Sequence, residues 1–120
     1  MSYVLILDPH ETLAGQALLD DPELDVEVCR DRAGLFDSLC IRRPDVVVYV
    51  LTDLPSDLAI LSLLRRVSAS LPIVLVGDPS SLEARRSIQD VRPIYFGVLP
   101  LDPCELVNAV RSGLRYRLAS

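Results

Sequence analysis

Five short runs of apolar residues recur along the chain, and stretches with helical periodicity separate them. Four of the runs are continuous and occupy positions 3–7, 46–51, 73–76 and 94–99. Continuous runs of this length are typical of parallel strands that are covered on both faces. The pattern therefore predicts a parallel sheet with helices on both sides, which is a doubly wound α/β fold.

The second run, at positions 24–29, has a different pattern. Asp25 and Glu27 alternate there with apolar residues. A period of two with charges along one side is typical of an edge strand, where charged side chains discourage pairing with another chain. With the second strand at an edge, we expect a flavodoxin-like sheet of five strands in the order 2-1-3-4-5. Ligands of such sheets bind at the carboxyl ends of the strands, which directs the search for a site there.

Polar residues and prolines mark the starts of the predicted helices. Pro9 marks the predicted start of the first helix, since proline is well tolerated in the first turn of a helix. Ser56 is predicted to cap the third helix, Ser80 and Glu83 form a capping box for the fourth, and Asp102 precedes the fifth. The residues predicted to face the core are Leu58, Leu61, Leu64 and Val67 in the third helix, and Leu106, Val107, Val110 and Leu114 in the fifth.

Composition narrows the class of protein. A length of 120 residues fits one domain spanning positions 1–120, and a hydrophobic content of 50% argues against disorder. A formal net charge of −5 disfavours direct binding to nucleic acid, which requires a basic face. The longest apolar run is too short to cross a bilayer, and the N-terminus lacks the features of a secretory signal. We therefore expect a cytoplasmic protein without membrane contact.

The cysteines and glycines give no sign of a bound metal or nucleotide. The spacing of Cys29, Cys40 and Cys104 matches no metal-binding motif, and we expect buried, reduced thiols. No glycine-rich phosphate-binding motif is present among the 5 glycines, so a nucleotide- or flavin-dependent enzyme is not indicated.

Four segments carry a resemblance that spans nearly the whole chain. The first strand reads VLILD, the third RPDVVVYV, the fourth LPIVLVGD, and the last strand and helix read YFGVLPLDPCELVNAVRSGLRYR. In this order and spacing they resemble the receiver (CheY-like) domains of bacterial response regulators. The resemblance implies a (βα)5 receiver fold and a role in two-component, phosphorelay signal transduction.

The resemblance also implies where the phosphorylation residues stand. In receiver domains, two acids after the first strand hold Mg²⁺, and an aspartate at the end of the third strand accepts the phosphoryl group. The matching positions are Asp8 and Pro9 for the acids and Val50 for the acceptor. Only Asp8 keeps the required chemistry, because valine supplies neither a nucleophile nor a metal ligand.

Three further positions of the family lie at the ends of the fourth and fifth strands. Gly77 replaces a Ser or Thr, Leu99 replaces the obligatory lysine, and Phe96 stands for the aromatic switch residue. The chain has no lysine, since all 12 of its Lys and Arg residues are arginine. Phosphoryl transfer depends on a metal and a cation to stabilise charge. The sequence therefore predicts a degenerate pseudo-receiver that is not an enzyme, needs no cofactor or metal, and regulates signalling or transcription without phosphorylation.

Asp53 supports an alternative, because receiver domains often show Leu-Pro shortly after their phosphorylated aspartate. A shifted loop would make Asp53 the acceptor of an active phosphoreceiver with Mg²⁺. It would otherwise bring Asp8, Asp53 and Asp78 together as a vestigial cation site. The simpler interpretation is that Asp53 and Asp78 are solvated turn residues, a setting that aspartate favours.

His10 supports a second alternative. The segment Asp8-Pro9-His10 resembles the D-x-H opening of cobalamin-binding domains, in which the histidine ligates cobalt. A small-ligand module with His10 as the anchor, for cobalamin as an example, follows from that resemblance. Leu13 and Asp78 stand where those domains carry glycines, and a solvated or capping histidine is the simpler interpretation.

The apolar fifth strand and the arginine-rich last helix indicate a contact surface. Receiver domains dimerise through the face made by the fourth helix, the fifth strand and the fifth helix. The resemblance therefore implies a homodimer or a docked protein partner at this face, and an output domain beyond residue 120. The residues predicted for this surface are Tyr95, Phe96, Val98, Asn108, Arg111 and Arg115. The simpler interpretation is a solvated helix end whose arginines complement the helix dipole.

Overall fold

A computed structural model of the protein describes residues 2–11, 21–78, 88–99 and 101–119. The described strands form one parallel sheet of five strands in the order β2-β1-β3-β4-β5, which confirms the predicted topology. The strands are β1 (Ser2–Leu7), β2 (Leu24–Cys29), β3 (Val46–Val50), β4 (Ile73–Gly77) and β5 (Tyr95–Val98).

Three of the predicted helices lie within the described residues. They are α1 (Arg32–Ile41), α2 (Leu54–Val67) and α3 (Pro103–Ala119), which correspond to the second, third and fifth predicted helices. A single 3₁₀ turn at Gln89–Val91 precedes β5. The predicted first helix and the capping box of Ser80 and Glu83 lie outside the described residues. No helix in the described ranges is long and apolar enough to span a membrane.

The sheet separates two apolar cores. Leu35 of α1 and Leu61 of α2 pack on one side, called here the α1/α2 face. Leu106 and Val110 of α3 pack on the other side, called the α3 face. Every residue of β3 and β4 is buried, because helices cover both faces of these central strands. The continuous apolar runs predicted this double coverage.

The start and end of α2 differ from the prediction. The helix begins at Leu54 with Asp53 as its N-cap residue, and the Ser56 hydroxyl donates a hydrogen bond of 2.9 Å to the Asp53 carboxylate. Ser56 therefore lies inside the first turn of α2 and is not its N-cap residue. Pro55 does not prevent this earlier start, because the first turn of a helix tolerates proline. At the other end Val67 is 79% exposed, so the apolar stripe continues past the part of α2 that the sheet covers.

The prediction for α3 is confirmed. The Asp102 carboxylate accepts a hydrogen bond of 2.7 Å from the backbone N–H of Cys104, as expected at a helix start. Leu106 and Val110 are buried on the α3 face. The remaining two residues of the predicted stripe are partly buried and pack against the same core; they are Val107 and Leu114.

The edge position of β2 is confirmed, but its charged side chains are not simply solvated. Glu27 accepts hydrogen bonds from the Tyr3 hydroxyl and, at 2.8 Å, from the Ser38 hydroxyl of α1. Asp25 forms an ion pair of 2.7 Å with Arg42. The two carboxylates therefore join the edge strand to β1 and to the end of α1.

The expectation of three buried thiols is wrong for two of them. Cys29 is buried at the end of β2, whereas Cys40 on α1 and Cys104 on α3 are exposed. Burial raises the pKa of the Cys29 thiol above its usual value. The three thiols therefore differ in their access to reagents.

Candidate functional site

The carboxyl end of β3 carries an apolar side chain. Val50 is the last residue of the strand, pairs with Val76 of β4, and is 2% exposed in the core of the α3 face. The register pairs Leu7 with Tyr49, so the next positions, Asp8 and Val50, lie side by side. Val50, and not Asp53, therefore lies at the strand end beside Asp8.

The segment that follows β1 holds the one acid retained at its expected position. Asp8 is 4% exposed, and its backbone N–H donates a hydrogen bond of 2.9 Å to the carbonyl oxygen of Cys29. A turn follows, in which Pro9 is half-buried and His10 is exposed, and Glu11 has a positive φ of 54°. The small-ligand role of His10 stays a prediction from the sequence.

The ends of β4 and β5 continue the apolar character. The backbone N–H of Leu99 donates a hydrogen bond of 2.8 Å to the carbonyl oxygen of Gly77, which extends the pairing of the two strands. The Leu99 side chain is half-buried against the α3-face core. Phe96 packs against the core of the α1/α2 face. Hydrocarbon therefore occupies the position that the sequence resemblance predicts for the catalytic lysine of receiver domains.

The loop between β3 and α2 is held by a buried carboxylate that sequence reasoning missed. Asp57 is 1% exposed and accepts hydrogen bonds from the Tyr49 hydroxyl at 2.6 Å and from the backbone N–H groups of Thr52 and Asp53 at 2.8 and 2.9 Å. Arg32 of α1 reaches the same carboxylate at 3.1 Å. We call this group the Asp57 clamp.

The Asp57 clamp raises the pKa values of two of its members, Tyr49 and Arg32. Burial is the main cause that raises the pKa of the Tyr49 hydroxyl above its usual value, and the hydrogen bond to Asp57 raises it further. Hydrogen bonds to Tyr49 and Asp57 raise the pKa of the Arg32 guanidinium. Tyr49 is therefore a neutral donor and Arg32 a charged one, which suits a carboxylate acceptor.

The clamp leaves Asp53 at the surface. The Asp53 side chain is exposed and accepts the hydrogen bond from Ser56, while its backbone N–H is bound by Asp57. Asp78 is also exposed. Across the described ranges, no group of three or more His, Cys, Asp or Glu side chains is placed to hold a metal ion. Asp8, Asp53 and Asp78 are thus not brought together as the hypothesised cation site.

The predicted contact surface is only partly assembled. Three of its residues, Tyr95, Phe96 and Val98, are half-buried on the edge strand β5, and the Tyr95 hydroxyl donates to Glu105 of α3. Arg111 does not join them, because its guanidinium pairs with Asp21 and Glu23, which precede β2 at the opposite edge of the sheet. The other two residues predicted on α3, Asn108 and Arg115, are exposed.

The structure is similar to solved receiver domains. A response regulator receiver domain protein from Clostridium thermocellum superposes with a TM-score of 0.82 at 14% identity, over 100% of both chains. The signal receiver domain of an HD domain-containing protein from Pseudomonas fluorescens Pf-5 gives 0.83 at 21% identity, over 99% of this chain and 98% of that one. NtrX from Brucella abortus gives 0.84 at 17% identity, over 99% of this chain and 28% of NtrX.

No family model and no curated protein sequence matches the chain. The strand order and the structural similarities together show that the chain has the CheY-like receiver fold, the fold of response-regulator receiver domains in two-component signal transduction.

Proposed function

We propose that the chain is a receiver-like signalling module that acts without phosphorylation and is not an enzyme. One observation carries the proposal: Val50 is buried at the carboxyl end of β3, where it lies beside Asp8. At that place, a phosphoryl acceptor needs an oxygen nucleophile with a lone pair. A valine side chain has none, and it is packed into the apolar core of the α3 face.

The surroundings of Val50 support the same proposal. Phosphoryl transfer requires positive charge around the transferred group, supplied by metal ions and by a lysine or arginine. The half-buried hydrocarbon of Leu99 supplies none. Arg32, which reaches the loop after β3, is already paired with Asp57. The degenerate positions Asp8, Pro9, Val50, Gly77, Phe96 and Leu99 thus favour a module that no longer transfers phosphate.

We expect no phosphoryl adduct after incubation of the protein with Mg²⁺ and acetyl phosphate, measured as intact mass. The physical reason is that Val50 cannot accept the group and exposed Asp53 has no adjacent cation site among the described residues. An active receiver domain treated in parallel is the control for the reagent. A stoichiometric adduct that disappears in Asp53→Ala would show instead an active phosphoreceiver that uses Asp53.

The proposed module works by protein contact at the β5 edge. Within the described residues β5 pairs only with β4, so it is an edge strand of the sheet, and it carries the half-buried Tyr95, Phe96 and Val98. Such an edge is an association site unless another element covers it. A depression of about 430 Å³, lined by Ile88 and Arg92 among others, adjoins the side chains of Tyr95 and Phe96. We propose that a second copy of the chain docks on this edge and on α3.

The match to NtrX supports a further part of the proposal. The chain corresponds to 28% of NtrX, so in that protein a receiver-like part of this size belongs to a longer polypeptide. An output domain that follows residue 120 would then transmit the effect of docking.

We expect Val98→Arg to weaken self-association about tenfold or more, because it places a charge among apolar contacts of the interface. The matched control is Val28→Arg, a valine that is 43% exposed on the opposite edge strand β2. Sedimentation velocity over a concentration series measures both. A protein that stays monomeric at all concentrations, or equal effects of both variants, would contradict a homodimer through β5.

A further inference from the structure

A groove lies between α1 and α2 at the amino-terminal end of the sheet, away from Val50 and from β5. Its volume is about 390 Å³. Buried Leu64 and Leu71 form the floor, and Phe36 and Leu39 of α1 form one wall. The lining is mainly hydrocarbon, which is the general character of pockets for small organic ligands.

The rim of the groove exposes apolar surface to water. Val67 is 79% exposed and Leu63 is 48% exposed, and both line the groove on the α2 side. These residues continue the apolar stripe of α2 beyond the part that packs on the sheet. Contiguous exposed apolar surface next to a concavity marks a binding site more often than scattered single residues do.

Arg43 supplies a positive charge at the mouth of the same groove. Its guanidinium donates a hydrogen bond of 2.5 Å to the Ser68 hydroxyl, and it belongs to none of the ion pairs formed within the described residues. A guanidinium has five N–H donors arranged to bind a carboxylate. The groove therefore combines an apolar trough with one cation at its edge.

We propose that this groove binds a free medium-chain carboxylate, with its hydrocarbon chain along the trough and its carboxylate on Arg43. By proportion with benzene, whose six carbons occupy a cavity of about 150 Å³, a groove of about 390 Å³ accommodates roughly ten to fifteen carbon atoms. A single side chain inserted by a protein partner would leave part of this volume empty. The site is independent of the proposed signalling function and lies on a different part of the molecule.

A second copy of the chain is a poorer occupant. A two-fold contact places the same surface on both partners, so each copy would bring its own Arg43 to the shared interface. None of the residues that line the groove is acidic, so nothing there balances this repulsion. An anionic ligand provides the missing negative charge at Arg43.

The three cysteines provide a direct test on the intact protein. Cys40 lines the groove, Cys104 is exposed at the start of α3, and Cys29 is buried. We expect decanoate, below its micelle concentration, to slow the reaction of Cys40 with a thiol reagent at least fivefold at saturation. The rate of Cys104 stays unchanged, and Cys29 reports any unfolding. Single Cys→Ser variants assign the rates to each thiol.

Ligand and protein variants test the two halves of the proposed recognition. Octanoate is expected to bind roughly tenfold more weakly than decanoate, because each buried methylene contributes about 0.8 kcal/mol. Arg43→Gln is expected to weaken decanoate about threefold to fivefold, as for a partly exposed ion pair, and to leave decanol unaffected. Arg66→Gln is the matched control, since Arg66 does not line the groove. Leu63→Asp, at a half-exposed position, is expected to abolish binding without unfolding.

Several results would overturn the proposal. Equal protection of Cys40 and Cys104 would show non-specific association, and equal protection by decylamine would remove the role of Arg43. Protection by phospholipid vesicles without protection by free decanoate would assign the surface to a membrane. Protection of Cys40 that depends only on protein concentration would assign it to a second copy. A Leu63→Asp variant that stays folded and binds decanoate normally would place the ligand elsewhere.

Discussion

Replacing Asp57 with alanine is expected to lower the free energy of unfolding by about 3 kcal/mol, as measured by urea denaturation. The carboxylate is buried and accepts hydrogen bonds from Tyr49, Thr52, Asp53 and Arg32. Its removal leaves the buried Tyr49 hydroxyl without its acceptor, and it takes the acceptor from two partly buried backbone N–H groups. The largest part of the lost stability in such cases comes from keeping a polar group away from water without a hydrogen-bond partner.

The ion pair with Arg32 contributes little to this figure. The Arg32 side chain is 38% exposed, so water screens its charge and replaces part of the lost contact. Arg32→Gln is therefore expected to cost well under half of the effect of Asp57→Ala. The larger share comes from Tyr49 and from the backbone of the β3–α2 loop.

Asp53→Ala is the matched control, because Asp53 lies four residues earlier, at the N-cap of the same helix, and its carboxylate is exposed. It accepts one hydrogen bond, from Ser56, and makes no side-chain capping bond to the helix backbone. The expected cost is below about 1 kcal/mol. Equal effects of the two substitutions would contradict the proposed clamp. A large effect of Asp53→Ala alone would indicate that Asp53, and not Asp57, organises the end of β3.

The strands and their order were predictable because a strand that is buried on both sides consists almost entirely of apolar residues, whereas an edge strand does not. Every residue of β3 and β4 is buried, and each position in these strands is apolar or glycine. The alternation in β2 correctly indicated an edge strand, but it did not predict burial residue by residue, because Val28 on the apolar side is 43% exposed. These are local consequences of the fold, and a periodicity argument detects them.

The ends of α2 were less predictable, since periodicity does not reveal where the sheet stops covering a helix. Val67 continues the stripe of Leu61 and Leu64, yet it extends past the sheet and lines an open groove. Ser56 is a good capping residue by type, but Asp53 precedes it and Pro55 is compatible with a first turn. Both differences arise from tertiary context that a local pattern does not contain.

The Asp57 clamp and the Arg111 ion pair were not predictable for a related reason. Arg32 and Asp57 are 25 residues apart, and Arg111 and Asp21 are 90 residues apart. Without a structure, an aspartate in the first turns of a helix is read as a solvated charge that complements the helix dipole. The only local signal was the aromatic Tyr49 in the otherwise aliphatic β3, whose hydroxyl needs a partner when buried.

Arg65 is expected to be the second position at which one substitution destabilises the fold strongly. Its guanidinium donates hydrogen bonds of 2.8, 2.9 and 2.8 Å to the carbonyl oxygens of Val91, Ala69 and Leu71. It thus joins the end of α2 and the start of β4 to the 3₁₀ turn before β5. We expect Arg65→Gln to lower the free energy of unfolding by about 2 kcal/mol, because a shorter neutral amide replaces several charge-assisted bonds with one at most.

The same substitution tests whether the β5 edge depends on this connection. Arg66→Gln is the matched control, since Arg66 is exposed on the next position of α2 and is expected to change stability by less than about 0.5 kcal/mol. Because Arg65 fixes the turn at Gln89–Val91 that leads into β5, hydrogen exchange in β5 should accelerate in Arg65→Gln more than in β1. Uniform acceleration across all five strands would show a loss of global stability alone. An Arg65→Gln protein as stable as Arg66→Gln would mean that these carbonyl groups are satisfied equally well by water.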